Sequence, residues 1–379
     1  MAKGFEPPPY PYHRLRDIEK LAAAHDGGMV DCSVGTPCDP PAPFVLEAMA
    51  TSGTERGYPE SAGSMALRTA AIGWIERRFG VALDPDALSA CVGTKEFVAS
   101  VAQYLHLRDP DRDVVLYPAI SYPTYAMGAL LAGCRPVAVP PARPDGSGLD
   151  LKAIDSADAA GALALWSNSP SNPTGGLDDL GAAAAWGREH GVPVLSDECY
   201  GEFTWSDSPR SVLEHGTEGV VAVHSLSKRS NLAGVRCGFY AGDPALVTYL
   251  TDLRRHAGLM VPGPVQAGAA AALGDDEHVE AQRARYRDRL AYLAEVLTAA
   301  GCPAVPPDGG FYLWVESPAA VGDGWALTEE LARAAGILVS PGEFYGPDGA
   351  GHVRVATVQP MQRLELVGAR LAASGWTAG

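Results

Sequence analysis

The stretch His224-Ser225-Leu226-Ser227-Lys228-Arg229-Ser230-Asn231-Leu232-Ala233-Gly234-Val235-Arg236-Cys237-Gly238-Phe239 places an amine, a guanidinium and two hydroxyls close together between apolar runs. A lysine on a loop just after Val220-Val221-Ala222-Val223 is positioned to lose part of its hydration. Desolvation lowers an amine's pKa and makes it nucleophilic toward an aldehyde, which is Schiff-base chemistry. Arg236 can converge with Ser225 and Ser227 on one dianionic group, and phosphate suits that donor set. A lysine that bonds an aldehyde beside a phosphate site points to pyridoxal phosphate.

That cofactor needs an acid at its ring nitrogen, because the protonated ring is the electron sink for carbanion chemistry. Asp197 follows the apolar run Val192 to Leu195 and is the candidate; the bland alternative is a helix cap or turn. Tyr200 and Asn172 can both reach the ring's phenolate oxygen, although Asn172-Pro173-Thr174-Gly175 is equally the composition of a tight turn. Gly93-Thr94-Lys95-Glu96 leads straight into an apolar helical run, and amides at a helix N-terminus beside a hydroxyl make an anion site. In Val34-Gly35-Thr36-Pro37 the glycine lets a ligand approach the backbone closely, or simply makes a turn.

Something must hold these groups together. From residue 113 to 241 short apolar runs alternate with helical patterns: strands over 113–117, 135–139, 162–166, 192–196, 220–223 and 236–240, with helices from Tyr122 and over 177–190. Such alternation predicts a mainly parallel sheet buried between helices, with functional residues in loops at the strand ends. Helical readings over 246–255, 266–273 and 276–300 follow, then a strand–helix–strand remainder that predicts a smaller α/β domain. The expected division is an arm and part of the small domain over 1–42, a large cofactor-binding domain over 43–265, and a small C-terminal domain over 266–379. Pro7-Pro8-Pro9-Tyr10-Pro11-Tyr12 should be an extended arm lying on its own protein or on a sister subunit.

The whole-chain totals narrow the classes. At 379 residues the chain is too long for one ordinary core. A net charge of −16 disfavours nucleic acid and anionic membranes, so the basic run Gln282 to Arg289 reads as a solvated helical face rather than an RNA contact. Seven cysteines with no C-x-x-C pair point to reduced thiols rather than a disulfide or zinc framework, and no metal site is expected. Cys199 and Cys237 flank proposed site residues, where they are redox candidates or simply small buried hydrophobes. The start of the chain lacks the apolar core of a signal peptide and no run is long enough to span a membrane, which predicts a cytoplasmic protein.

Taken in order, these stretches resemble the class I/II aminotransferases of the fold-type I pyridoxal phosphate enzymes over nearly the whole chain. The resemblance implies cofactor-binding positions at Asn172, Asp197, Tyr200, Lys228 and Arg236, and phosphate-binding positions at Gly93, Thr94 and Ser225, with Lys95 and Ser227 nearby. Tyr122 matches the aromatic that stacks on the ring. Tyr58 matches a tyrosine that reaches the partner subunit's phosphate, implying a homodimer with shared active sites. Arg354 matches the clamp for the substrate α-carboxylate, with Gly35 and Asn172 also at the substrate. Fuller strings, among them Ser196-Asp197-Glu198-Cys199-Tyr200 and Pro341-Gly342-Glu343-Phe344-Tyr345-Gly346-Pro347, resemble actinobacterial N-succinyldiaminopimelate aminotransferases. The implied reaction is ping-pong transfer of nitrogen from glutamate to N-succinyl-2-amino-6-ketopimelate in lysine and diaminopimelate biosynthesis, with Lys228 moving the α-proton.

A dicarboxylic donor and a succinylated acceptor need a cation beyond Arg354, and Lys95, Arg229, Arg254, Arg255 and His256 are the possible sources. Rival readings are an aminotransferase for aspartate, aromatic or broad substrates, and a fold-type I lyase with the same cofactor shell. Ser225-Leu226-Ser227-Lys228 also reads as S-x-x-K, the nucleophile motif of acyl-serine hydrolases, but its S-D-N and K-T-G companions are missing.

Overall fold

The computed structural model describes residues 4–205 and 208–378. Its centre is a seven-stranded sheet in the order Leu88–Cys91, Gly238–Gly242, Val220–Ser225, Val194–Asp197, Ala162–Asn168, Val114–Pro118, Arg135–Val139. Every residue of Ala162–Asn168 and Val220–Ser225 is buried, as continuous apolar runs require when helices cover both faces. Five strands from Arg135–Val139 to Val220–Ser225 pair in parallel, so their carboxyl ends share one rim. Gly238–Gly242 runs antiparallel on both sides, and Leu88–Cys91, absent from the sequence reading, closes that edge. The expected α/β class is therefore met, with an antiparallel margin.

Around the rim the helices begin where caps allow. Met65–Phe79 starts at Ser64, whose hydroxyl accepts from the Leu67 amide at 3.3 Å. Thr94–Arg108 starts directly after Gly93, whose φ of +74° suits glycine.

A second core lies under a three-stranded antiparallel sheet of Ser340–Pro341, His352–Ala356 and Tyr312–Glu316. Leu293 and Leu297 from Glu277–Ala299, Leu327 from Gly324–Ala335 and Val367 from Met361–Ser374 fill it. The N-terminal segment belongs here too: Val30–Asp31 pairs in parallel with Ile337–Leu338. Gly263–Leu273 crosses the position expected for the domain division, and its Ala269, Ala272 and Leu273 bury in the core of the large sheet. Among the described residues no helix is long and apolar enough to cross a membrane, and no group of acidic, histidine or cysteine side chains could hold a metal.

Candidate active site

At the rim of the parallel strands, where the second core folds over them, lies a cavity of about 480 Å³. Open α/β sheets bind ligands at this end because successive strands deliver loops to one place. Asp197 ends one strand and Ser225 the next, which puts an acid and a hydroxyl side by side at its floor.

Lys228 follows Ser225 on a short helical turn, Leu226–Arg229, rather than on the expected loop. Ser225 caps that turn, accepting from the Ser227 amide at 3.1 Å, and so fixes where the lysine points. The Lys228 amine donates to the Gly35 carbonyl across the cavity. Burial lowers its pKa to about 8; the Arg354 and Arg236 charges push the same way, while Cys199 and Asp197 oppose them. The amine is still mostly protonated at neutral pH, but its unprotonated fraction, roughly a tenth at pH 7, is far larger than an ordinary lysine's and can act as nucleophile or base.

Asp197 is buried and accepts from the Tyr125 hydroxyl at 2.8 Å and the Cys199 amide at 3.1 Å. Burial raises its pKa, partly offset by those bonds and by Lys228. Thr94, Ser225, Ser227 and Arg236 also line the cavity. Arg236 adopts a left-handed backbone with φ +59° and is anchored by donating to the Ala233 carbonyl at 2.9 Å. A Cβ on Gly93 would overlap the Arg236 guanidinium, so glycine is what lets that cation reach the helix N-terminus.

Arg354 enters from the small sheet and is 3% exposed. It donates to Asn172 Oδ1 at 2.7 Å, the Ser33 carbonyl at 2.6 Å and the Tyr12 hydroxyl at 3.4 Å, and lies 4.1 Å from the Tyr312 ring centre. Its buried Nε has no partner. Among the described residues no carboxylate pairs with it. Tyr200 shares a 2.7 Å hydroxyl contact with Tyr312 beside it.

Twelve predicted positions thus converge on this one cavity: Gly35, Thr94, Lys95, Tyr122, Asn172, Asp197, Tyr200, Ser225, Ser227, Lys228, Arg236 and Arg354. Gly93 stands against it through Arg236. Tyr58 does not; it is 97% exposed and outside this chain's own cavity. Of the five cations considered for a second carboxylate, only Lys95 lines the cavity, with its amine 5.7 Å from the Tyr10 ring and 5.9 Å from Tyr122. Arg229 is held by Glu202 and Asp276, Arg254 by Glu96 and Arg255 by Asp252, while His256 is on the surface. Sequence reasoning missed Tyr12, Tyr312 and Ser33. The aromatic N-terminal arm was their one signal, and Tyr10 and Tyr12 do lie along the cavity. Burial pushes the Cys199 thiol well above its usual range and Cys237 to about 12, so neither is a thiolate at neutral pH.

The model of the family "aminotransferase class I and II" matches residues 28–369, from the first strand of the small core to the last helix. The chain belongs to the class I and II aminotransferases. A probable aminotransferase of Mycobacterium tuberculosis is 43% identical over 96% of this chain and 85% of its own. The 4-dedimethylamino-4-oxo-anhydrotetracycline transaminase OxyQ of Streptomyces rimosus is 40% identical over 97% and 99%. Among solved structures, a probable N-succinyldiaminopimelate aminotransferase from Thermus thermophilus superposes with a TM-score of 0.86 at 30% identity, covering 96% of this chain and 100% of that one. The aminotransferase is pyridoxal-phosphate-dependent, as its family is, and its substrates are small amino and 2-oxo acids.

The cavity fits that cofactor on its own chemistry. Four cationic side chains and one acid line it, in a chain of net charge −16, so the site is built for anions. The hydroxyl and guanidinium wall suits a phosphate, buried Asp197 suits a ring nitrogen, and the lysine between them suits an aldehyde.

Proposed function

We propose that this aminotransferase moves nitrogen from glutamate to N-succinyl-2-amino-6-ketopimelate, with Lys228 as its catalytic residue. The observation that carries the reading is a pair of cations lining one cavity that no acid answers among the described residues: Arg354, buried and bonded to neutral oxygens, and Lys95 beside the Tyr10 and Tyr122 rings. Two separated cations suit a substrate with two anionic ends. The Thermus relative named as a probable N-succinyldiaminopimelate aminotransferase supports the same substrate.

In this reading Arg354 clamps the α-carboxylate through a bidentate pair, and Asn172, which accepts from Arg354, keeps the guanidinium plane fixed. Pyridoxal phosphate, when bound, supplies the electron sink that acidifies the substrate's α-carbon. Lys228, its amine already depressed toward neutrality, takes the α-proton on Nζ and later returns it. Asp197, held by Tyr125 and the Cys199 amide, balances the charge of the ring nitrogen. Thr94, Ser225, Ser227 and Arg236, beside Gly93, would hold the phosphate, and Tyr122 would pack on the ring. Tyr58, exposed here, serves the site of a second copy, which makes the enzyme a homodimer in the cytoplasm with a large and a small domain in each subunit.

Replacing Lys228 with alanine should abolish turnover while cofactor still binds noncovalently; steady-state transamination retained in that variant overturns the role given to Lys228. Substrate choice is tested by loading the enzyme with nitrogen from glutamate and challenging it with a panel of oxo acids. N-succinyl-2-amino-6-ketopimelate should rank first. A bulky polycyclic ketone ranking above it would favour a second reading, for which the near-full-length similarity to OxyQ is the ground.

A further inference from the structure

Residues 34–38 cross the mouth of the cavity as a strap, with Val34, Gly35 and Thr36 in its lining. One end is pinned at Ser33, whose carbonyl accepts from Arg354 at 2.6 Å and from the Ser340 hydroxyl at 2.7 Å. The other end is pinned at Asp39. Arg289 donates to both Asp39 oxygens, at 2.6 and 2.8 Å, and Gln282 donates to one of them at 2.8 Å. The two side chains of the ion pair are 5% and 12% exposed, so the pair is held mostly away from water.

Between the pins the strap has no slack. A Cβ on Gly35 would run into the Tyr312 hydroxyl, and the Gly35 carbonyl is the group that the Lys228 amine donates to. The circuit also returns to the lysine's own turn. Asn231, three residues after Lys228, adopts a left-handed backbone with φ +56° and donates to Gln282 at 3.1 Å and to the Pro40 carbonyl at 3.4 Å. The long helix Glu277–Ala299 therefore holds, through Gln282 and Arg289, both the end of the strap and the turn that carries Lys228.

We propose that Asp39 is a positioning residue: gripped by Arg289 and Gln282, it fixes the strap so that the Gly35 backbone meets Lys228 and closes the substrate's side of the cavity. It touches neither substrate nor cofactor. The inference rests on the role of Lys228 given above. A misplacement of about 1 Å near reacting groups can cost on the order of a hundredfold in rate. The Asp39 carboxyl is also held below its usual range; burial alone would raise it, and Arg289 and Gln282 more than reverse that.

The test uses the holoenzyme with glutamate as donor and the best-ranked oxo acid of the panel above as acceptor. In Asp39→Ala, KM for glutamate should rise about tenfold or more while kcat falls less, since the strap shapes binding before chemistry. The pH midpoint of the visible absorbance of lysine-bound cofactor should also shift, because the Gly35 carbonyl dipole is no longer held near the Lys228 nitrogen. Asp39→Asn, which keeps one acceptor for Arg289, should recover part of both. Should Asp39→Ala fold poorly, Gln282→Met should give the same split at smaller size. An unchanged KM and absorbance midpoint in a folded Asp39→Ala, with only the melting temperature lowered, overturns the proposal. Steady-state transamination retained in Lys228→Ala would instead count against the role of Lys228.

Discussion

Arg354 and Arg254 are both buried arginines packed on aromatic rings, at 3% and 2% exposure, and they are solved in opposite ways. Arg254 meets Glu96 in a two-pronged pair, both contacts at 2.7 Å, beside the stacked rings of Phe97 and Tyr240. Among the described residues Arg354 meets only neutral oxygens, from Asn172, Ser33 and Tyr12; the Nε of both arginines is unpartnered, so the carboxylate is the difference. Taking a guanidinium out of water costs several kcal/mol unless an anion answers it. Where the anion is built in, the cation is part of the scaffold. Where it is left out, the chain carries an unanswered charge that a substrate carboxylate can answer, and the cost of burial becomes affinity for that substrate.

The comparison breaks most readily at Arg354. Arg354→Lys keeps the charge but loses the planar fork, so kcat/KM for glutamate should fall on the order of a hundredfold with little change in melting temperature. Steady-state kinetics with an acid donor and with its neutral amide would show whether the loss follows the carboxylate. At Arg254 the pattern should invert. Arg254→Met strands Glu96, and because that carboxylate is partly solvated the cost should be about 2 kcal/mol of stability, read by chemical denaturation, with kcat/KM per folded molecule within a few-fold of the parent. Equal damage to catalysis from both substitutions would dissolve the distinction.

Much of this arrangement could be read before any coordinates. Asp197 and Ser225 end apolar runs that had to be strands buried on both faces, so their place at one rim followed from topology alone. Lys228 was legible as chemistry but not as a helical turn, because four residues are too few for periodicity, although Ser225 was available as a cap. The antiparallel margin was hidden since a buried strand shows the same apolar run in either direction. Tyr12 reaches Arg354 across 342 residues, and no local pattern records such a contact. Among the candidate cations, composition could not separate Lys95 from Arg229, Arg254 and Arg255; their acid partners did, and those partners come from helix packing.

The same rule can be sharpened from the acid side at Glu198, 2% exposed and next in sequence to Asp197. It accepts at 2.8 Å from the Ser196 hydroxyl and the Val212 amide, but among the described residues its one ion-pair neighbour that could carry positive charge is His224, 3.4 Å away. Burial lowers His224 to about 3, so the imidazole is neutral, and burial raises Glu198 to about 7. A carboxyl whose folded pKa lies above its unfolded value contributes stability that is fully present below about pH 4.5 and is lost as pH rises through about 7. Glu198→Gln removes that titration while keeping the shape. Thermal unfolding at pH 5 and pH 8 should then show the variant gaining on the parent at the higher pH, by about 2 kcal/mol. An advantage that does not change between the two pH values would mean that Glu198 is ionised in the fold across that range, as it would be if a cation answered it as Arg254 answers Glu96.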